Sequence, residues 1–261
     1  MGMGGKEMSD LTRFFRGIPD EGLFKRAVAL GRVTGWRALR KFGRNDDVDG
    51  TEEMWEYGTS RVLPVTAATL SVVSSSSQDT NTTGTGAWTI TVEGLDADYE
   101  ELTETITMNG TSPVSSTGVF FRVNRAYVLT GGTGDTNVGN IDISINAAEQ
   151  AFIEADEGQT HQTHYTVPAG HTVLVTGLTI VTGTLGGSSS LVVESQIKLL
   201  GGMWRAISAV DLTDGQTYQS RNTIGTVIPE KTEIRQKLIL SGANGNVAGI
   251  FNGYLINNDE L

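Results

Sequence analysis

The chain has three histidines, all within HQTHYTVPAGH, residues 161–171. Neutral imidazole is a common metal ligand and a general base near neutrality. His161 and His164 would share a face on a helix, but the segment alternates like a strand, where residues three apart point to opposite faces. The spacing therefore predicts a surface strand and a loop histidine rather than a metal pair. A second constellation is Asn45, Asp47, Asp49, Gly50 and Glu56, at positions 1, 3, 5, 6 and 12 of a calcium-loop spacing. Asn45 removes a charge at the first position, Glu52 stands where an aliphatic residue belongs, and WEYGTSRVLP is no exit helix. The stretch reads as an acidic linker whose aspartates make turns and caps.

No other chemistry is spelled out. There is no cysteine, which excludes disulfides and thiol nucleophiles. GxSxG, HExxH and Walker-type loops do not occur. Glycine clusters such as TGGTG fall between strands, where they make turns rather than phosphate cradles. The expectation is a protein that is not an enzyme, with no cofactor and no metal.

Charge is divided unevenly. Residues 1–45 hold ten Lys/Arg and four Asp/Glu, net +6; residues 46–261 hold nine and twenty-six, net −17. The basic segment also carries large apolar residues. Aromatic anchors ringed by arginine suit a protein contact better than a phosphate-binding tail, and interspersed glycines disfavour a membrane helix. The candidate partner-binding residues are Arg13, Phe14, Phe15, Arg16, Phe24, Lys25, Arg26, Trp36, Arg37, Arg40, Lys41 and Phe42. Neither nucleic acid nor membrane is expected as a partner. No apolar run is long enough to span a bilayer, and MGMGGKEMSD has no apolar core of a secretory signal.

The elements that position these residues fall into four stretches. Residues 1–45 read as a basic arm of short helices: one carrying Leu11, Phe14 and Phe15, one starting at Pro19-Asp20-Glu21, and one on Val33, Trp36, Leu39 and Phe42. Residues 46–60 read as an acidic linker. From residue 61 the period changes to two, in runs such as AWTITVEG, GVFFRVNRAYVL, YTVPAGHTVLVTGLTIVTG and TVIPEKTEIRQKLILSG. The fold class is mainly β: a basic N-terminal arm with short helices, then two antiparallel β-sandwich or jelly-roll-like units, 61–150 and 151–261.

The order WEYG…LSVVSSSSQDT…GTGAWTITVEGLDADYEELTETITMNGTSPV…FFRVNRAYVLTGGTGDTNVGNIDI, with YTVPAGHTVLVTGLTIVTG…VIPEKTEIRQKLILSGANGNVAGIFNGYLI, resembles virion structural proteins of tailed bacteriophages, especially marine ones. The resemblance covers about residues 55–257 and transfers no functional residue. It implies a non-enzymatic, β-rich protein made in the host cytoplasm and built into the virion. The expected role is capsid decoration or cement, docking through the arm onto the major capsid protein or other virion proteins, as a homo-oligomer with a trimer favoured. The alternative is a neck, collar or tail-associated fibre or adaptor protein with receptor or glycan binding, for which Trp88 and Trp204 are the candidate sugar platforms.

Overall fold

A computed structural model describes residues 21–187 and 189–261. Its first element is α1 (Glu21–Ala29), at the Pro19-Asp20-Glu21 start signal. The helix ends in a Schellman turn: Arg32 N–H reaches the Ala27 carbonyl at 2.8 Å, Gly31 N–H reaches that of Val28 at 2.9 Å, and Gly31 takes a φ of +66°. The helix expected around Leu11, with Arg13, Phe14, Phe15 and Arg16, lies outside the described residues.

The third expected helix is a strand. β1 (Trp36–Val48) pairs antiparallel with β16 (Gly245–Asn257), from Trp36↔Ile256 to Asn45↔Val247 and on to Val48↔Gly245. Lys41, Gly43 and Asn45 are buried, while Ala38, Arg40 and Phe42 face out. The three-residue recurrence of Val33, Trp36, Leu39 and Phe42 thus imitates a helix face. The real period is two, and a long-range ladder decides it over local propensity. The acidic stretch 46–60 is also partly strand, because β1 turns at Asp49-Gly50 into β2 (Thr51–Glu53).

The remaining strands are β3 (Ala68–Ser74), β4 (Ala87–Leu95), β5 (Glu101–Thr107), β6 (Val114–Phe120), β7 (Arg122–Gly131), β8 (Ile141–Ile145), β9 (Ala148–Ile153), β10 (Tyr165–Thr166), β11 (His171–Leu185), β12 (Ser190–Lys198), β13 (Arg205–Leu212), β14 (Thr217–Ile228) and β15 (Glu233–Ser241). Strand makes up 58% of the described residues and helix 5%, so the fold is mainly β, as expected.

Strands β3 to β9 form one sandwich. Sheet β6-β3-β8-β9 faces sheet β5-β4-β7 across a core that includes Leu70, Ile90, Val92, Phe120, Ile143 and Ile153. The other strands form a second sandwich, β1-β16-β11-β14 facing β10-β15-β12-β13, with β2 also on β15. Here the first strand pairs with the last, the second position with the penultimate, β11 with β14, and β12 with β13. That is the order produced by rolling up one long hairpin, the jelly roll.

The second position of the jelly roll is shared. Thr51, Glu52 and Glu53 pair with Ile239, Leu238 and Lys237, and Tyr165 and Thr166 continue the same row opposite Ile234 and Glu233. Between them Met54 N–H bonds to the Gln236 carbonyl at 3.0 Å. The chain therefore leaves the strand after Met54, builds the whole first sandwich, and rejoins the same strand at His164. Space for the crossing comes from Gly43 and Gly249, which face each other in the β1–β16 ladder. A Cβ on either would lie 2.7 Å from Met54, at its carbonyl oxygen or its sulfur respectively.

One turn in the inserted sandwich is poorly suited to its residue. Asn146 and Ala147 join β8 to β9 with φ of +51° and +62°, as a two-residue hairpin turn requires. Ala147 is strained there, since a Cβ in the left-handed region costs about 1–2 kcal/mol. Ala147→Gly is expected to stabilise the protein by about 1 kcal/mol, read as a raised urea midpoint with an unchanged slope. A lowered midpoint would contradict the strain.

Candidate docking face and the charged joint beneath it

Two of the candidate anchors face inward. The rings of Phe24, Trp36 and Tyr254 meet edge to face, with centroids 5.2, 5.9 and 5.7 Å apart. With Val28, Val33 and Ile256 they fasten α1 to the outer face of the β1–β16–β11 sheet. Lys41 is buried and donates to the Asn124 carbonyl of the inserted sandwich at 2.5 Å. Arg37 makes a two-pronged bond to Glu101, each arm 2.8 Å. Lys25, Arg26, Arg40 and Phe42 are exposed, with Phe42 resting its ring on His161 at 5.0 Å. Arg40, Lys41, Phe42, Arg125 and His161 line a cleft of about 660 Å³ between β1 and the inserted sandwich.

The two tryptophans considered for sugar stacking are engaged. Trp88 donates its indole N–H to Gly84 at 2.8 Å, and Trp204 lies under the Arg235 guanidinium at 3.9 Å.

Below the face, the crossing of the two sandwiches is charged. Residues 53–56 and 161–164 run antiparallel: Trp55 bridges Gln162, and Thr163 N–H bonds to the Met54 carbonyl at 3.1 Å. Glu53 then meets His164 at one end, and Glu56 meets His161 at 2.6 Å at the other. The two histidines do point to opposite sides, as strand geometry requires, but both are buried rather than on a surface or loop. His171 is the turn histidine, with Nδ1 2.8 Å from the Ala169 carbonyl. Sequence reasoning missed the pairing although its signal was present: E-x-x-E at 53 and 56 mirrors H-x-x-H at 161 and 164.

Each end recruits arginines. Glu53 also binds Arg235. Glu233 accepts from Arg122 Nε at 2.5 Å and from the Thr166 hydroxyl at 2.5 Å, with Arg61 3.9 Å away. At the other end, Arg44 reaches Glu56, Glu154 and Glu157 at 2.8 Å each and Asp46 at 3.2 Å. Glu56, Glu157 and His161 have the donor set of a metal site, but the Arg44 guanidinium sits among them as their cation.

Burial sets the protonation states. It pushes His164 down to about 4, with Arg61 adding to the effect. Neutral His164 donates Nε2–H to Glu53, and its Nδ1 has no partner that a second proton could use. Burial alone would raise Glu53, but His164, Arg235 and Arg61 outweigh it and hold the carboxyl low. Lys41 falls from 10.5 to about 7 through burial, then repulsion from Arg61 and Arg125.

The calcium-loop spacing does not wrap one centre. Asn45 lies in β1 and donates to Glu52 of β2 at 2.7 Å, Asp47 accepts from Asn244 at 2.7 Å, and Glu56 belongs to the joint. The hairpin, not a 12-residue loop, accounts for the acidic spacing.

Two outcomes are expected. Between pH 7 and 10.5 the unfolded chain holds a proton on Lys41 that the folded chain has released, so stability rises with pH across that window. Lys41→Met should lack this rise when melting temperatures are compared over the range; parallel profiles would mean a charged Lys41. Glu233→Gln strips Arg122 and Arg61 of a buried partner and should cost about 3–5 kcal/mol in urea denaturation. A change below about 1 kcal/mol would mean the joint is hydrated.

No known protein family matches this chain, and no curated protein does. Among solved structures it is similar to that of the infectious bursal disease virus Gt strain, at 12% identity over 94% of this chain and 79% of that one, with a TM-score of 0.26. T=1 particles derived from the same virus match at 12% identity, 91% and 76% coverage and a TM-score of 0.27. Its VP2 subviral particle matches at 13% identity, 90% and 77% coverage and a TM-score of 0.26. TM-scores of this size do not equate two folds, and the architecture described above rests on this chain's own strand order.

Proposed function

We propose that the chain is a non-enzymatic structural protein of a virion, in which the jelly roll packs on the particle and the inserted sandwich projects from it. The observation that carries the reading is how charge follows the fold. Residues 54–164, which build the inserted sandwich, hold fourteen acidic and three basic residues, net −11. Residues 165–261 hold seven and six, net −1, and residues 1–45 are net +6. An acidic module hung from one strand of a near-neutral module with a basic end suits display on one side and contact on the other. Jelly rolls recur in viral capsid and lectin domains. The resemblance to phage virion proteins supports the same reading.

Within that role the chain decorates and stabilises a capsid. Arg13, Phe14, Phe15 and Arg16, with the exposed Lys25, Arg26, Arg40 and Phe42, make the contact with the major capsid protein. Phe24 and Trp36 present that face by holding α1 in place. Self-association into a trimer uses the edge of the jelly roll at β13 and β14, where Ile207 and Val227 are exposed, as are Leu200 and Met203 in the turn before β13.

Quantitative mass spectrometry of purified virions tests the role. Hundreds of copies in simple ratio to the capsid subunit are expected. A dozen would move the protein to the neck or tail, and none would remove it from the particle. Phe42→Ala with Arg40→Glu should weaken binding to heads by at least tenfold, a modest hot-spot loss, with melting temperature unchanged. Unaltered head binding would displace the docking face.

A further inference from the structure

We propose that the Lys41 amine takes up carbon dioxide, forming a carbamate whose negative charge is held by Arg61 and Arg125 where β1 meets the inserted sandwich. β7 bulges at Asn124, between the pairs Glu93↔Arg125 and Gly94↔Val123. The bulge turns two successive carbonyls the same way, since Gln162 Nε2 reaches those of Val123 and Asn124 at 3.4 and 3.5 Å. Lys41 Nζ donates to the Asn124 carbonyl, and Arg61 Nη1 donates to that of Val123 at 3.2 Å. An amine and a guanidinium are thus packed against one bulge, and among the described residues no carboxylate bonds to the amine.

Negative charge is short in this part of the joint. Three guanidiniums, of Arg61, Arg122 and Arg235, surround two carboxylates, of Glu53 and Glu233. Arg61, with its side chain 2% exposed, leaves its Nε buried without a hydrogen-bond partner. A buried donor that lacks an acceptor is destabilising. Of the neighbouring charges Arg61 acts most strongly on Lys41, then Arg125, both by repulsion, against a weaker attraction from Glu93. A carboxylate carried by Lys41 would turn both repulsions into attractions and offset the surplus cation.

The amine is prepared for the reaction. Burial, then Arg61 and Arg125, bring Lys41 down to about 7, and His164, whose own proton Lys41 opposes, is neutral at that pH. A desolvated, unprotonated lysine beside other cations is an activated nucleophile. Its lone pair attacks the carbon of carbon dioxide, an N–C bond forms, and one C=O electron pair moves onto oxygen. The nitrogen then yields one proton to water, leaving N–H and a carboxylate. The remaining N–H still donates to Asn124. Lys41 lines the cleft of about 660 Å³, through which a small uncharged molecule arrives without the desolvation cost of an ion. This inference does not depend on the virion role.

The full chain in mildly alkaline buffer, with bicarbonate labelled by the heavy carbon isotope, is the test. Carbon NMR should show one carbamate resonance that saturates with bicarbonate and disappears on acidification, as the amine regains its proton. A trialkyloxonium salt traps a carbamate as a stable ester, and peptide mass spectrometry should place that ester on Lys41 in the parent chain, so the assignment does not rest on a variant. Lys41→Met should lack the resonance. Bicarbonate should raise the melting temperature of the parent, but not of Lys41→Met, beyond sodium chloride of equal ionic strength. Arg125 is exposed, so Arg125→Gln should fold, and it should lower carbamate occupancy about threefold at limiting bicarbonate, as removal of one partly screened charge does. An absent resonance, an ester found only on other amines, or full occupancy in Arg125→Gln would each overturn the proposal.

Discussion

Four antiparallel rungs carry the architecture: Glu53 against His164, Met54 against Thr163, Trp55 against Gln162, and Glu56 against His161. The chain passes through them twice, once outbound and once returning. The backbone there lies between the two sandwiches and is paired both across the crossing, as Thr163 N–H is to Met54, and to a neighbouring strand, as Met54 N–H is to Gln236. The unlike ends give the rungs one register. A slip by one residue would set Glu53 beside Thr163 in one direction or His164 beside Met54 in the other, leaving buried polar groups without partners. The surrounding arginines extend this constraint into both sandwiches, since Arg122 and Arg61 belong to the insertion and Glu233 and Arg235 to the jelly roll.

Much of the fold was legible. Alternating runs such as AWTITVEG and QKLILSG became β4 and the end of β15, because their apolar residues fill one face of a sheet. The helix after Pro19 was legible for the same local reason: a start signal and a glycine stop. β1 was not, because its apolar residues recur every three and its partner, β16, lies some two hundred residues away. Nothing near Trp36 in the sequence announces that ladder.

The site was legible in parts. Arg40 and Phe42 were read as partner contacts, and in the structure both are exposed. Lys41, between them, was read with the same role, but a strand turns neighbours to opposite sides and sends it inward to Asn124. The histidines were noticed as a pair, yet their meaning depends on Glu53 and Glu56, which a linear reading placed in a linker. Charge composition hid the last part: the acids cluster in the insertion, which is visible only once β2 and β10 are known to share one strand.

That sharing bears on how the protein folds. β2 alone offers three residues to β15 and β10 offers two, too little for either to hold its place. They act as one strand only after residues 54–164 have brought their ends side by side. Closing so long an unstructured loop is entropically unfavourable, whereas the strands of the insertion pair with one another, in the sheets β6-β3-β8-β9 and β5-β4-β7, and can close it by folding first. The inserted sandwich thus serves as a splint for the second strand of the jelly roll, and loss of its core would unzip the jelly roll from within.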